Sequence, residues 1–343
     1  MSDHLLDIGE FGLIGRINDL LKKEGISSQE VTLGIGDDTA AFLPRPGFEM
    51  LVTCDTLVEG RHYLPAWISP FDLGRRAMIQ NISDIGAMGG RPLYALVSLG
   101  LKPDILVRDI EAIYRGFLQE LNPLGASIIG GNLTHTGGGI FLDITLIGEV
   151  EQGMAVRRSG ARPGDSISVS GYPGQSAAGL HLLLQGQKSP GLSEHPLVRS
   201  YNTPSHRALL GRAIGQSALA TAMIDISDGF LGDLKHICRE STVGAFLFKE
   251  KLPLSPALIQ AAAEVQCDPL DLFFGESDDY ELIVTSRPTN GPLLRALSKR
   301  HCPVPLTEVG RITDIPGEIT LLSAFDAPRP LQASGWDHFS QQA

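Results

Sequence analysis

The segment Ala77-Met78-Ile79-Gln80-Asn81-Ile82-Ser83-Asp84-Ile85-Gly86-Ala87-Met88 is nearly all apolar or small, yet it carries an acid. Ahead of it, Ser69, Pro70 and Asp72 read as N-cap, first-turn proline and N3 acid. They predict a helix that reaches about Met88, where Gly89, Gly90 and Pro92 stop it. A helix of this composition has to bury its apolar residues against a core. An unpaired carboxylate in that setting is costly, so Asp84 calls for a cap, a buried hydrogen bond or a cation held directly or through water.

Two further acidic segments follow short apolar runs. Gly34-Ile35-Gly36-Asp37-Asp38-Thr39-Ala40-Ala41 comes after Val31–Leu33, and Thr53-Cys54-Asp55-Thr56-Leu57-Val58-Glu59-Gly60-Arg61-His62 continues from Met50–Thr53. Either could be a solvated turn, and His62 alone could be a surface or core histidine. Placed at strand ends, however, Asp38 and Asp55 can project into a cleft. If Asp38, Asp55 and Asp84 converge, each pair about 4 Å apart repels by about 4 kcal/mol at an effective dielectric near 20. A divalent cation relieves that repulsion. All-oxygen ligands favour Mg²⁺ or Ca²⁺ over zinc.

Gly130-Gly131-Asn132-Leu133-Thr134-His135-Thr136-Gly137-Gly138-Gly139 reads as a glycine-rich loop between two strands, able to bring backbone amides close to phosphate or simply to turn a hairpin. There is no GxxxxGK[ST], which excludes a Walker-type phosphate loop. Later, Ile224-Asp225-Ile226-Ser227-Asp228-Gly229 places two acids between an apolar run and a helix. One cap for that helix does not require both. Glu276-Ser277-Asp278-Asp279-Tyr280-Glu281 precedes another strand, and Trp336 near the end either packs on the body or stacks on a heteroaromatic substrate.

The chain has 343 residues, more than one compact domain usually holds, so two domains are expected with a boundary near residue 152. In the first half the pattern predicts helices over 11–21 and 108–121, and strands over 94–101, 127–129 and 140–150. In the second it predicts strands over 166–170, 244–248 and 280–285 and helices over 176–184 and 206–219. Without strict alternation, the pattern reads as mixed α/β or α+β. A formal net charge of -11 with no Lys/Arg run argues against nucleic acid. No apolar stretch approaches membrane-spanning length, and no secretory leader is visible at the N-terminus. Four scattered cysteines with no CxxC pair fit a reduced, cytoplasmic setting.

Taken in order, Gly-Ile-Gly-Asp-Asp, Thr-Leu-Val-Glu-Gly-Arg-His, Asn-Ile-Ser-Asp, Arg-Ser-Gly-Ala-Arg-Pro-Gly-Asp and Ile-Asp-Ile-Ser-Asp-Gly resemble the thiamine-monophosphate kinase family. Its superfamily also holds aminoimidazole ribonucleotide synthetase, selenophosphate synthetase and HypE. The resemblance implies an N-terminal α/β domain (1–151) that binds ATP and several Mg²⁺ ions and dimerises through its sheet. It implies a C-terminal α+β domain (152–343) that completes the nucleotide and substrate site. Thiamine monophosphate would then accept the γ-phosphoryl group in line. By position Asp38, Thr53, Asp55, Asp84, Asp225 and Asp228 match the family's metal places, with Asp37 and Asn132 as further candidates. Gly131, Asn132, Arg158 and Ser227 fall at nucleotide contacts, and His62, Asp278 and Trp336 at substrate contacts. Catalytic weight rests on Asp55, Asp84, Arg158 and Asp228.

The chain departs from the family pattern where Gly-Gly-Asp becomes Gly130-Gly131-Asn132 and Gly-Glu-Asp-Tyr-Glu becomes Ser277-Asp278-Asp279-Tyr280-Glu281. These changes leave room for another phosphorylated or carboxylated acceptor, or for a weakly catalytic nucleotide-binding paralogue.

Overall fold

The computed structural model describes residues 4–186 and 192–332. They form two compact units, the first ending at residue 153 and the second starting at residue 154, with residues 86–89 grouped with the second.

In the first unit the chain runs through α1 (Leu5–Glu24), β1 (Val31–Leu33), β2 (Ala41–Phe42), β3 (Phe48–Val58), α2 (Pro70–Ala87), β4 (Arg91–Leu101), α3 (Val107–Leu121), β5 (Ser127–His135) and β6 (Phe141–Glu151). Strands β1 and β2 pair as a small hairpin, and the other four make a sheet in the order β3-β6-β4-β5. Period-two alternation sorts that sheet into two faces. Leu57, Val97, Leu99, Leu142, Ile144 and Leu146 are buried on one of them. The other, open face carries Val52, Cys54 and Thr56, which are exposed.

The cap expected for α2 is present, because Ser69 Oγ accepts from the Asp72 amide at 3.1 Å and donates to the Asp72 carboxylate at 2.8 Å. Helices α2 and α3 meet backbone to backbone. A Cβ on Gly74 would lie 2.0 Å from the Ile113 carbonyl oxygen, and one on Gly116 would lie 2.1 Å from that of Phe71.

Three expectations need correcting. Helix α1 begins at Leu5 rather than Phe11, with a break at Gly9 (φ 65°), because a glycine in the left-handed region lets an earlier helical segment join. Strand β3 does not stop before the acids: it runs to Val58, paired along its whole length with β6, so Asp55 is mid-strand. Nor does the glycine-rich stretch form a loop from residue 130. Strand β5 continues to His135 alongside β4, with a register shift between Ala95 and Leu96. Gly131 makes this possible: its φ is 157°, and a Cβ there would fall 1.9 Å from the Val97 carbonyl oxygen.

The second unit runs through β7 (Ser166–Ser170), α4 (Gln175–Gln185), α5 (Pro196–Asn202), α6 (Ala208–Ser217), β8 (Ala220–Asp225), α7 (Phe230–Ser241), β9 (Gly244–Phe248), α8 (Pro256–Glu264), α9 (Pro269–Phe274), β10 (Leu282–Ser286), α10 (Gly291–His301), β11 (Leu306–Thr313), β12 (Ile319–Leu322) and β13 (Arg329–Pro330). Seven strands make one mixed sheet in the order β13-β12-β9-β11-β7-β10-β8. Its central strands β7 and β10 are buried at every position, as expected of a sheet covered on both faces. One apolar cluster joins Ile167, Ile224 and Ile283 to Phe230 and Phe273, and another joins Met223 and Val284 to Leu210 and Leu294. Phe230, Phe273 and Phe274 add ring contacts, with the Phe230 and Phe273 centroids 5.0 Å apart.

Candidate active site

In the first unit the acids fall into two sets. Thr53 and Asp55 alternate on the buried-facing side of β3, and the Thr53 hydroxyl donates a short hydrogen bond to the Asp84 carboxylate on α2. Asp84 is half-buried rather than enclosed. Its place on an otherwise apolar helix is thus answered by a strand hydroxyl, with Asp55 on the same strand face two residues along.

The second set lies on the other side of the sheet. Asn132 is in register with Ser98, which is in register with Asp143, which is in register with Thr56. Residues in register share a face, so Asn132 belongs to the open face, opposite Thr53 and Asp55. The β1–β2 loop joins this set: Asp37, Asp38, Ser98, Gly131 and Asn132 line one cavity of about 830 Å³. Asp37 and Asp38 are exposed, and Asp37 Oδ1 accepts from the Asp38 amide at 2.9 Å. Within the unit, Asp38 and Asn132 therefore line the same cavity, Thr53 and Asp84 are hydrogen-bonded, and Asn132 stands on the opposite face of the sheet from Thr53 and Asp55.

His62 follows the end of β3. Its backbone N–H donates to the Val58 carbonyl, and its ring Nδ1 accepts from the Val58 amide, each at 2.9 Å. The turn is tied down by Glu59. That carboxylate takes the Ile140 amide at 2.8 Å and the Lys102 ammonium at 2.8 Å, and these two partners hold it below the usual carboxylate range.

In the second unit β8 ends on Asp225, 2% exposed, and Ser227 and Asp228 follow half-buried. Neither caps α7. Its N-cap is Gly229 (φ 104°) with no side-chain cap bond, and the loop is held from inside the helix instead. Asp233 accepts from the Ser227 and Asp228 amides at 3.0 and 3.1 Å. Burial, followed by the neighbouring charge of Asp225, pushes the Asp233 carboxyl well above the ordinary range. Asp228, Asp233 and His236 bring ligand atoms within 4.8 Å of one another. Arg158 is exposed, and after burial its charge is the next largest influence lowering the His236 pKa.

Sequence reasoning missed Asp233 and His236. Their signal was the i, i+3 spacing that puts both on the helix face turned toward the acidic loop.

The Asp278 segment lies beside that loop, because the Tyr280 amide donates to the Ile226 carbonyl and the Ile226 amide to the Glu281 carbonyl, both at 2.8 Å. Asp278 Oδ1 accepts from Ser176 Oγ at 2.7 Å. Asp279 is buried and accepts from the Gly174 and Ser176 amides and from Ser277 Oγ, so it closes the start of α4 from more than a hundred residues away. Glu281 receives Arg207 through two nitrogens and also the Ser170 hydroxyl. Trp336 lies outside the described residues.

Two family models match the chain, AIR synthase related protein, N-terminal domain, over residues 36–150 and AIR synthase related protein, C-terminal domain, over residues 162–321. The fold and its acidic loops therefore define the AIR synthase-related class of two-domain proteins. Thiamine-monophosphate kinase of Escherichia coli (strain K12) is 38% identical over 335 residues, 97% of this chain and 98% of that relative. The crystal structure of thiamine-monophosphate kinase from Stenotrophomonas maltophilia K279a superposes with a TM-score of 0.80 at 34% identity, over 93% of this chain and 98% of that one. A structure of AaThiL complexed with AMPPCP and TMP superposes at 0.72 with 32% identity, over 99% and 100%. The chain belongs to the thiamine-monophosphate kinase family.

Proposed function

We propose that this chain transfers the γ-phosphoryl group of ATP to thiamine monophosphate in a Mg²⁺-dependent, in-line step, giving thiamine diphosphate and ADP. The observation that carries the reading is full-length similarity to proteins named for this activity, one of which was crystallised with AMPPCP and TMP.

The donor chemistry supports it. Asp55, Asp84 and Thr53 offer oxygen alone, as do Asp225 and Asp228 in the second unit and Asp37, Asp38 and the Asn132 amide on the open sheet face. That composition fits a hard cation. When bound, Mg²⁺ supplies charge neutralisation to the phosphate oxygens.

The chain's own groups then have separable tasks. Gly131, with no Cβ, and Ser227 can approach the nucleotide closely, and Arg158 carries positive charge to the transferring group. His62 and Asp278 orient the acceptor, with Trp336 as a stacking partner. The attacking oxygen belongs to a phosphate that is already anionic, so no strong general base is required. We assign ATP and Mg²⁺ binding and the dimer contacts to residues 1–151, and completion of the nucleotide and substrate site to residues 152–343. The protein acts as a cytoplasmic homodimer paired through the open sheet face. Asn132 and Asp278, where the chain leaves the family pattern, favour a second reading in which a different phosphorylated or carboxylated acceptor is used.

The test is direct turnover. Purified protein with ATP, Mg²⁺ and thiamine monophosphate yields thiamine diphosphate and ADP, and Asp55→Ala or Asp84→Ala lowers kcat by about 100-fold or more. Bound ATP with no transfer to this acceptor eliminates the first reading in favour of the second.

A further inference from the structure

Helix α7 holds two segments that carry candidate site residues, one by each end. In its first turn Asp233 accepts from the Ser227 and Asp228 amides. At its last residue the Ser241 hydroxyl donates to the Arg158 carbonyl at 3.2 Å and accepts from the Gly160 and Ala161 amides, each at 3.1 Å. Along an α-helix the interval from Asp233 to Ser241 is about 12 Å.

A hydroxyl has one proton to donate and two lone pairs with which to accept. Ser241 uses all three, so a single side chain ties down the backbone on both sides of Ser159. The same segment lies against β8. The Met223 amide donates to the Arg157 carbonyl at 3.0 Å, and a Cβ on Gly160 (φ 127°) would fall 2.5 Å from the Thr221 carbonyl oxygen. Arg157 and Gly160 are thus set by the strand, and the Arg158 carbonyl by the helix. His236 stands between the two ends of α7 within reach of both segments: burial and then the charges of Arg158 and Arg239 lower its pKa, and Asp228 opposes them.

We infer that Ser241 is a positioning residue for Arg158. Its hydroxyl fixes the backbone from which that guanidinium reaches the transferring phosphoryl group, at a distance from the Ser227–Asp228 loop that one helix sets. The inference rests on the proposed kinase activity for what Arg158 does and on the hydrogen bonds for how it is held. A long side chain aims its charge only from a fixed root, and a misplacement of about 1 Å costs on the order of 100-fold in rate.

Amide hydrogen exchange on the intact protein reads the clamp without any turnover. In Ser241→Ala the Gly160 and Ala161 amides should exchange at least about 10-fold faster than in wild type, while the Met223 amide on β8 keeps its protection. Unchanged exchange at 160 and 161, or an equal loss at Met223, overturns the clamp.

A double-mutant cycle separates positioning from a merely structural role. Ser241→Ala should lower kcat about 10-fold or more with the acceptor KM near that of wild type. Ser241→Thr keeps the donor and both lone pairs and should recover most of the loss. In an Arg158→Ala background, Ser241→Ala should bring no further loss. An unchanged kcat in Ser241→Ala, or a full second loss on top of Arg158→Ala, overturns the inference. If the wild-type protein binds ATP but does not phosphorylate thiamine monophosphate, the kinase reading fails by itself. The exchange measurement, with the same cycle read in AMPPCP affinity, then still decides whether Ser241 acts through Arg158.

Discussion

Asp279 is the buried carboxylate whose titration has the clearest consequence for stability. Burial pushes it up to about 6 from 3.8, against the lowering pull of the Ser176 and Gly174 amides and the Ser277 hydroxyl. Below about pH 4 this group is protonated in both folded and unfolded chains. Between about 4 and 6 the unfolded chain has released its proton and the folded one keeps it, so the stabilisation it gives at low pH is lost as pH rises. Integrated over that window, the loss is about 3 kcal/mol. Urea unfolding of wild type and Asp279→Asn across this range should show a pH-dependent difference of that size, and parallel curves would contradict it. At the other end of the chemistry, Asn132 shares its cavity with Asp37 and Asp38. Asn132→Asp should lower the midpoint of the Mg²⁺ titration of activity, whereas an unchanged titration would put residue 132 outside the metal shell. Asp233 and His236 show why residue-level reading stopped short. Their spacing was visible, but only the fold of the Ser227–Asp228 loop back over α7 gives Asp233 its partners and brings Asp228 near His236.

At the scale of elements, strand β5 depends on one backbone position. Gly131 lies against the Val97 carbonyl at a φ that side chains rarely adopt. Gly131→Ala should cost about 1–3 kcal/mol of stability in chemical denaturation and loosen the β4–β5 pairing that carries Asn132. A variant as stable as wild type would mean that β5 can shift register freely. The helices were legible beforehand where capping chemistry is local: Ser69 and Asp72 start α2 as their spacing predicts, and Gly25 ends α1. The strands were legible in place but not in length. Continuation of β3 through Asp55 and of β5 through Asn132 is imposed by long partners, β6 and β4, and pairing across a sheet is a non-local fact that short-range propensity does not contain.

For the whole molecule, the open face of the first unit's sheet is where a second copy is proposed to pair. Val52 is 66% exposed there, beside Cys54 and Thr56. Sedimentation velocity should find a dimer for the wild type and a monomer for Val52→Arg, since a buried unpaired charge is heavily penalised. A dimer that survives this substitution would move the interface elsewhere. The sequence by itself determined the two-domain α/β character, the Ser69 cap of α2, the absence of a Walker-type loop and the family, because periodicity, capping and ordered motifs are written along the chain. Asp84 was marked as needing a partner by nothing more than its apolar surroundings. The tertiary structure alone decided what that partner is, a Thr53 hydroxyl on β3. It also decided that Asn132 lies on the opposite face of the sheet from Asp55. The physical reason is the same in both cases: strand order and register set which face a side chain takes, and a shift of one residue reverses it.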